Sequence, residues 1–132
     1  MDTLVDSNVL IDVFERDLAW HDWSASQLAA RSRLGRLLIN PLIYAEISLA
    51  FSDIKKLDAL LGEHIAREDL PWDAAFLAGR AYEQYRRSGG AKTSPLPDFY
   101  IGAHALTRRY PLLTRDTRRY KTYFPKLELI SP

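Results

Sequence analysis

DTLVDSNVLID, residues 2–12, runs from a short apolar triplet through an acid into a helix-forming segment. Thr3 to Val5 reads as a buried strand and Ser7 to about Phe14 as a helix, with Asp6, Ser7 and Asn8 supplying side chains able to cap it. A second stretch, PLLTRDTRRY at residues 111–120, repeats the arrangement: Asp116 closes an apolar run and stands among Arg115, Arg118 and Arg119. Glycine or asparagine turns a chain more easily than aspartate. Two strands that each end on an acid therefore raise the question of what the acids face.

Outward from these stretches, strands and helices take turns. A helix is expected from His21 to Arg33, a strand over Arg36–Asn40, and a helix from Pro41, well placed in a first turn, to about Phe51. Ser52 is the expected cap of a helix from Asp53 to about Gly62, and His64–Asp69 is the next strand. Pro71 opens a long helix ending near Arg87. SGGAKTSPLP, residues 88–97, is the only stretch with loop composition and leads to a helix from about Asp98 to Arg109. PLLT and LELI close the chain as two short strands. The class is α/β, a three-layer fold with a central, mostly parallel sheet flanked by helices on both faces.

With 132 residues and 47% hydrophobic content, the chain suits a single domain over residues 1–132. It has no cysteine, so disulfides and thiolate metal sites are excluded, and a reducing, cytoplasmic location is expected. Asp2, Asp6 and Asp12 interrupt the N-terminal apolar residues, which speaks against a signal peptide or a membrane span. The net charge of +1 hides an asymmetry: residues 1–79 carry 7 Lys/Arg against 13 Asp/Glu, and residues 80–132 carry 11 against 4. A basic C-terminal portion can offer a surface for phosphates, or simply present solvated helix faces.

In open parallel α/β sheets, ligands bind beyond the carboxyl ends of the strands. Asp6 and Asp116 fall at that edge, and the preceding loop can bring Asp98 to it. Glu46 has Leu42, Ile43, Leu49 and Ala50 three and four residues away, which places its carboxylate within an apolar, core-facing stripe. Each acid alone has an ordinary explanation: a cap for Asp6 or Asp98, a turn for Asp116, a salt bridge for Glu46. Their convergence has a cost. Two carboxylates about 4 Å apart repel by roughly 4 kcal/mol at an effective dielectric of 20, so four must share protons or hold metal. Oxygen ligands without His or Cys favour Mg²⁺ or Mn²⁺. Such ions support phosphodiester hydrolysis.

LVDSNVLID, the lone glutamate of NPLIYAEI, LPDFYIGAHAL and LLTRDTRRYKTYFP together resemble a PIN domain, in particular the VapC toxins of VapBC toxin–antitoxin systems. The resemblance covers nearly the whole chain in order and spacing. It implies that Asp6, Glu46, Asp98 and Asp116 are the acidic quartet and that Thr114 is the hydroxyl residue preceding the last acid. It implies a Mg²⁺- or Mn²⁺-dependent endoribonuclease acting on structured RNA such as tRNA or rRNA. It also implies a homodimer and a cognate VapB-like antitoxin that blocks the site. In DFYIGAHAL, the residues Phe99, Tyr100, Gly102 and His104 occupy a segment often richer in alanine.

The three aspartates are expected to hold the metal and Glu46 to ligate it or orient the attacking water. Thr114 either hydrogen-bonds a carboxylate or is an ordinary β-branched strand residue, and Ser7 is expected to cap the first helix rather than serve the site. Arg115, Arg118, Arg119 and Lys121 are candidate RNA contacts, or else belong to a solvated loop or an antitoxin-facing surface. His21, His64 and His104 lack ligand spacing and are expected as surface or half-buried residues, not catalysts. Trp20, Trp23 and Trp72 are expected as core or interface anchors. The alternatives are another metal-dependent phosphodiesterase or DNA-directed nuclease, and a non-catalytic binding module.

Overall fold

Five strands, all parallel, form the centre of the computed structural model, which describes residues 1–93 and 95–132. β1 (Thr3–Val5) lies in the middle. β2 (Leu37–Ile39) and β3 (Ile65–Arg67) extend the sheet on one side, β4 (Leu112–Leu113) and β5 (Leu129–Ile130) on the other, in the order β3-β2-β1-β4-β5. Leu4 pairs in register with Leu38 and with Leu112. β1, β2 and β4 are buried throughout, which is why they read as plain apolar runs and not as alternating ones.

Among the described residues, seven helices connect the strands: α1 (Ser7–Phe14), α2 (His21–Ser32), α3 (Pro41–Ser48), α4 (Ile54–Leu61), α5 (Trp72–Arg87), α6 (Pro97–Arg108) and α7 (Arg118–Tyr123). From β1 the chain steps outward to β2 and β3, then returns across to β4 and β5. Parallel crossovers are right-handed, so α1 to α4 cover one face and α5 to α7 the other. The order reverses between β1 and β4, and the crevice beyond their carboxyl ends is where such sheets bind ligands.

The expected strands and six of the helices are present with ends shifted by a few residues. α7 is the addition. Its segment, read as charged loop, sets Tyr120, Tyr123 and Phe124 at the i, i+3, i+4 spacing of a helix, and Tyr120 and Phe124 are buried. Gly102 accounts for one departure noted in the sequence: a Cβ there would stand 2.6 Å from ring carbons of Phe124, so α7 packs closely on α6 only because that position has no side chain. Ser94, within the expected loop over 88–97, lies outside the described residues.

Four local expectations change. Asp53, not Ser52, caps α4 by accepting from the Lys55 amide. α3 ends at Ser48, so its core face is Ile43 and Ile47, while Leu49 turns out to solvent and Glu46 sits half-buried at the rim. Trp72 is 92% exposed, which removes the core alternative for it and leaves the interface one. His104 is fully buried, not at the surface or half-buried. Its Nε2 meets Glu68 at 2.7 Å, and its Nδ1 accepts from Asn40, whose side-chain oxygen caps α3. That pattern fixes a neutral imidazole with its proton on Nε2, in keeping with burial lowering the His104 pKa. Among the described residues, no helix is long and apolar enough to cross a membrane.

Candidate active site

Asp6 follows directly on β1 with extended backbone, and its carboxylate accepts from the Ser7 amide at 2.8 Å. It is thus the cap of α1, but the cap uses only Oδ1. Oδ2 accepts from the Thr114 hydroxyl at 2.8 Å and the Tyr120 hydroxyl at 2.9 Å, with Asn8 Nδ2 at 3.5 Å. An ordinary cap is solvated; Asp6 is 3% exposed. The parallel pairing of β1 and β4 makes this possible, because the Asp6 amide donates to Leu113 and so sets Thr114 beside Asp6.

Thr114 is fully buried and is more than a strand residue. Its hydroxyl donates to Asp6 and accepts from the Asp116 amide at 3.1 Å, tying the acid after β1 to the turn after β4. Asn8 adds a second tie: its Nδ2 reaches Thr114 and its Oδ1 accepts from the Arg115 amide at 3.1 Å. Asp116 itself is exposed at the mouth and accepts from the Arg118 amide.

Asp98 lies in the first turn of α6, whose first residue is Pro97, but it does not cap that helix; the cap position is Leu96, which makes no side-chain hydrogen bond to the helix. The carboxylate faces α7 instead, where Oδ1 meets the Tyr120 hydroxyl at 3.3 Å and Oδ2 meets Arg119 Nη1 at 3.4 Å. Glu46 takes its partner from the start of α1, the Ser7 hydroxyl, at 3.1 Å. Ser7 therefore serves the acid cluster with its side chain, and Asp6 does the capping.

The electrostatics show that the acids face one another. Burial first, and then the Asp98 carboxylate, push Asp6 up to about 6, although the Thr114 and Tyr120 hydroxyls pull the other way. Burial and the charges of Asp6 and Asp98 push Glu46 up to about 7. Asp98 is also raised, by burial and by Asp116, against the pull of Arg119. Such displaced acids mark a site short of positive charge. Tyr120 is the residue that sequence reasoning missed; its phenol, raised well above its usual value by burial and by Asp6 and Asp98, has one proton to share between two carboxylates.

The all-oxygen donor set fits a hard divalent cation. Among the described residues, no three His, Asp or Glu side chains are already arranged to hold one. Both oxygens of Asp6 and of Asp98, and one each of Glu46 and Asp116, meet the chain's own hydroxyls, amides or Arg119, and among the described residues no buried side-chain polar atom lacks a partner. Binding an ion exchanges some of these donors for metal.

The basic residues divide. Arg115 forks onto Asp12, which is 2% exposed, at 2.7 and 2.8 Å, and lies over Trp20. Arg119 is held between Tyr85 and Phe99 beside Asp98. Arg118 and Lys121 are exposed on α7.

A pH dependence follows. Asp6 and Glu46 have folded pKa values above their ordinary 3.8 and 4.5, so the stability they contribute is complete below about pH 4 and is lost as the pH rises through 6 and 7. His104, with its lowered pKa, acts oppositely: its contribution is present above the ordinary histidine value and is lost as the pH falls from there through its folded value. At about pH 6.5, the ordinary value for histidine, an unfolded imidazole is half protonated, so just above that pH His104 offsets a small part of the acids' loss. The metal-free thermal midpoint is expected to drop by a few degrees between pH 6.5 and 8, and millimolar Mn²⁺ to raise it most at pH 8, where the ligands are deprotonated. Scanning calorimetry in EDTA and in Mn²⁺ checks this; a midpoint that rises over that interval in EDTA contradicts it.

Sequence and structure comparisons identify relatives of this fold. The PIN domain profile matches residues 3–125. No curated protein matches the chain. Among solved structures, the chain is similar to VapBC2 from Rickettsia felis, bound to a promoter DNA fragment (TM-score 0.76, 18% identity, 100% of this chain and 99% of that one). It is also similar to VapBC-1 from nontypeable Haemophilus influenzae (0.74, 17%, 99% and 98%). A third is VapC20 of Mycobacterium tuberculosis, a sarcin–ricin loop cleaving toxin (0.66, 13%, 96% and 98%).

Proposed function

Because this chain belongs to the PIN-domain family, we propose that it is the toxin of a type II toxin–antitoxin pair, a Mg²⁺- or Mn²⁺-dependent endoribonuclease of the VapC kind that cuts structured RNA such as tRNA or rRNA. The observation that carries the reading is the convergence of Asp6, Glu46, Asp98 and Asp116 beyond β1 and β4, with Asp6 and Glu46 pushed up to about 6 and 7. PIN domains are in general metal-dependent nucleases, and the solved relatives include toxin–antitoxin complexes.

In this reading Asp6, Asp98 and Asp116 hold the cation, and Glu46 completes the set or orients the attacking water. The ion, when bound, supplies positive charge against the developing charge on the phosphodiester and lowers the pKa of water. Thr114, Asn8 and Ser7 keep the carboxylates aimed, and Tyr120 keeps Asp6 and Asp98 facing each other. Arg118 and Lys121 contact RNA phosphates, while Arg119 stays with Asp98 and Arg115 holds the turn through Asp12. Water attack leaves 5′-phosphate and 3′-hydroxyl ends, since the 2′-hydroxyl takes no part.

The partners follow from the same reading: a VapB-like antitoxin covering the site, and a second copy of the chain. Trp72 and Phe76, 92% and 66% exposed one turn apart on α5, are apolar surface that a homodimer has reason to cover.

The test is cleavage of total cellular RNA by the purified chain in Mg²⁺, Mn²⁺ or EDTA, with new 5′ ends mapped. Discrete cuts bearing 5′-phosphates, absent in EDTA, are expected. Ends carrying 2′,3′-cyclic phosphate contradict the mechanism, and no cuts from folded, antitoxin-free protein turn the reading toward another phosphodiester or a binding module.

A further inference from the structure

Beside the acid cluster is a cavity of about 370 Å³, between the last turns of α5 and helix α7. Its volume falls within the range of roughly 300–1,000 Å³ usual for small-ligand sites. Asp98 and Asp116 form the wall it shares with the candidate active site, and Tyr85, Arg118, Arg119, Thr122 and Tyr123 complete it.

Three features describe what fits. Tyr123 is held as a rigid platform, its ring set edge-to-face against Phe99 at 5.2 Å and against Tyr85 at 6.3 Å. Arg119 is already committed to Asp98 and to the rings of Tyr85 and Phe99, and Arg115 to Asp12. Arg118 differs: among the described residues its guanidinium takes part in none of the ion pairs, and it lines the cavity. Thr122 spends its hydroxyl proton on the Arg118 carbonyl and has acceptor capacity left.

An aromatic platform, a free cation and a hydroxyl acceptor, placed next to the carboxylates, match a nucleotide better than an apolar ligand or a simple anion. The platform suits the π-face of a base, with a preference among bases that comes from stacking strength. The guanidinium suits a phosphate, and phosphate contacts set the register of a nucleic acid. Resting on the ribonuclease reading above, we propose that this cavity is a subsite for the nucleotide flanking the cut bond. The base stacks on Tyr123 with Thr122 at its edge, and Arg118 takes the phosphate on the side away from the acids. The subsite sets which nucleotide stands next to the cut.

The experiment compares cut sites in total cellular RNA for the wild-type chain and for Tyr123→Leu, Tyr123→Phe and Arg118→Gln, each checked for a folded circular dichroism spectrum. Tyr123→Leu is expected to cut about tenfold more slowly, by the worth of one stacked base, with a flattened nucleotide preference beside the cut. Tyr123→Phe keeps the ring and should keep the preference. Arg118→Gln should weaken cutting across all sequences and lower its salt dependence. An unchanged preference in Tyr123→Leu, with the wild type cutting, overturns the subsite and leaves the ribonuclease reading standing. A wild type that makes no cuts overturns both.

Discussion

Asp98→Asn is expected to lower RNA cleavage by roughly a thousandfold, the equivalent of several kcal/mol of lost transition-state stabilisation, and to make the metal-free protein more heat-stable at pH 8. The two effects have one cause. Asp98 raises the pKa of both Asp6 and Glu46 across the site, so the folded chain holds its carboxylates against mutual repulsion. An amide keeps a hydrogen-bonding oxygen for Tyr120 while removing the charge that repels its neighbours and that would bind a cation. The loss of the contact to Arg119 works against the gain, but that pair is long at 3.4 Å and partly exposed, with side chains 38% and 28% accessible. Cleavage assays and thermal melts in EDTA on the same preparation read both effects. A variant that loses activity together with stability makes Asp98 a structural acid instead.

The second large effect is on folding. Arg115→Ala is expected to destabilise the chain by about 3–5 kcal/mol, because it leaves Asp12 buried and ionised with no cation. Asp12 is 2% exposed and accepts two bonds from the Arg115 fork at 2.7 and 2.8 Å, and a third from Ser24 at 2.6 Å. The same guanidinium lies 5.3 Å from the centre of the Trp20 ring. The pair joins α1 and α2 to the turn after β4, so its loss also frees the segment that carries Thr114 and Asp116. Arg115→Lys should recover only part of the loss, since an ammonium cannot reproduce the fork. Urea denaturation measures both variants; a loss below about 1 kcal/mol for Arg115→Ala would mean that Ser24 alone satisfies Asp12.

How much of this could be read from residues alone depends on the range of the interactions. That the sheet is parallel and covered by helices follows from apolar runs alternating with helical periodicity, and the positions of Asp6 and Asp116 follow from their place just after strands, whereas the strand order β3-β2-β1-β4-β5 rests on pairings between distant segments that no local pattern encodes. Glu46 was located for a partly wrong reason. Its supposed apolar stripe included Leu49 and Ala50, which lie beyond the last turn of α3, so the carboxylate is at the rim and not in the core. Tyr120 was hidden because α7 is only 6 residues long and half basic, and charge masked the spacing of Tyr120, Tyr123 and Phe124. The ties from Ser7 to Glu46 and from Asn8 to Thr114 join residues 39 and 106 positions apart. No local pattern announces such pairs.

The alternation of a polar edge with fully apolar strands also explains why the site can carry this strain. Leu4, Val5, Leu112 and Leu113 are completely buried immediately before the acids begin. The rigid core on one side fixes where the carboxylates start, and the hydroxyls of Thr114, Ser7 and Tyr120 fix where they point. Without a cation, those hydroxyls and Arg119 are what make the cluster tolerable.

Calorimetric titration of Mn²⁺ into the metal-free chain at pH 8 tests the assignment of the acid cluster as a divalent-cation site. Saturable binding is expected in the wild type, weaker by at least about tenfold in Asp98→Asn and reduced on lowering the pH through 7 and 6, where Glu46 and Asp6 take up protons. Equal affinity in the wild type and Asp98→Asn, or no binding to a folded wild-type chain, would contradict it.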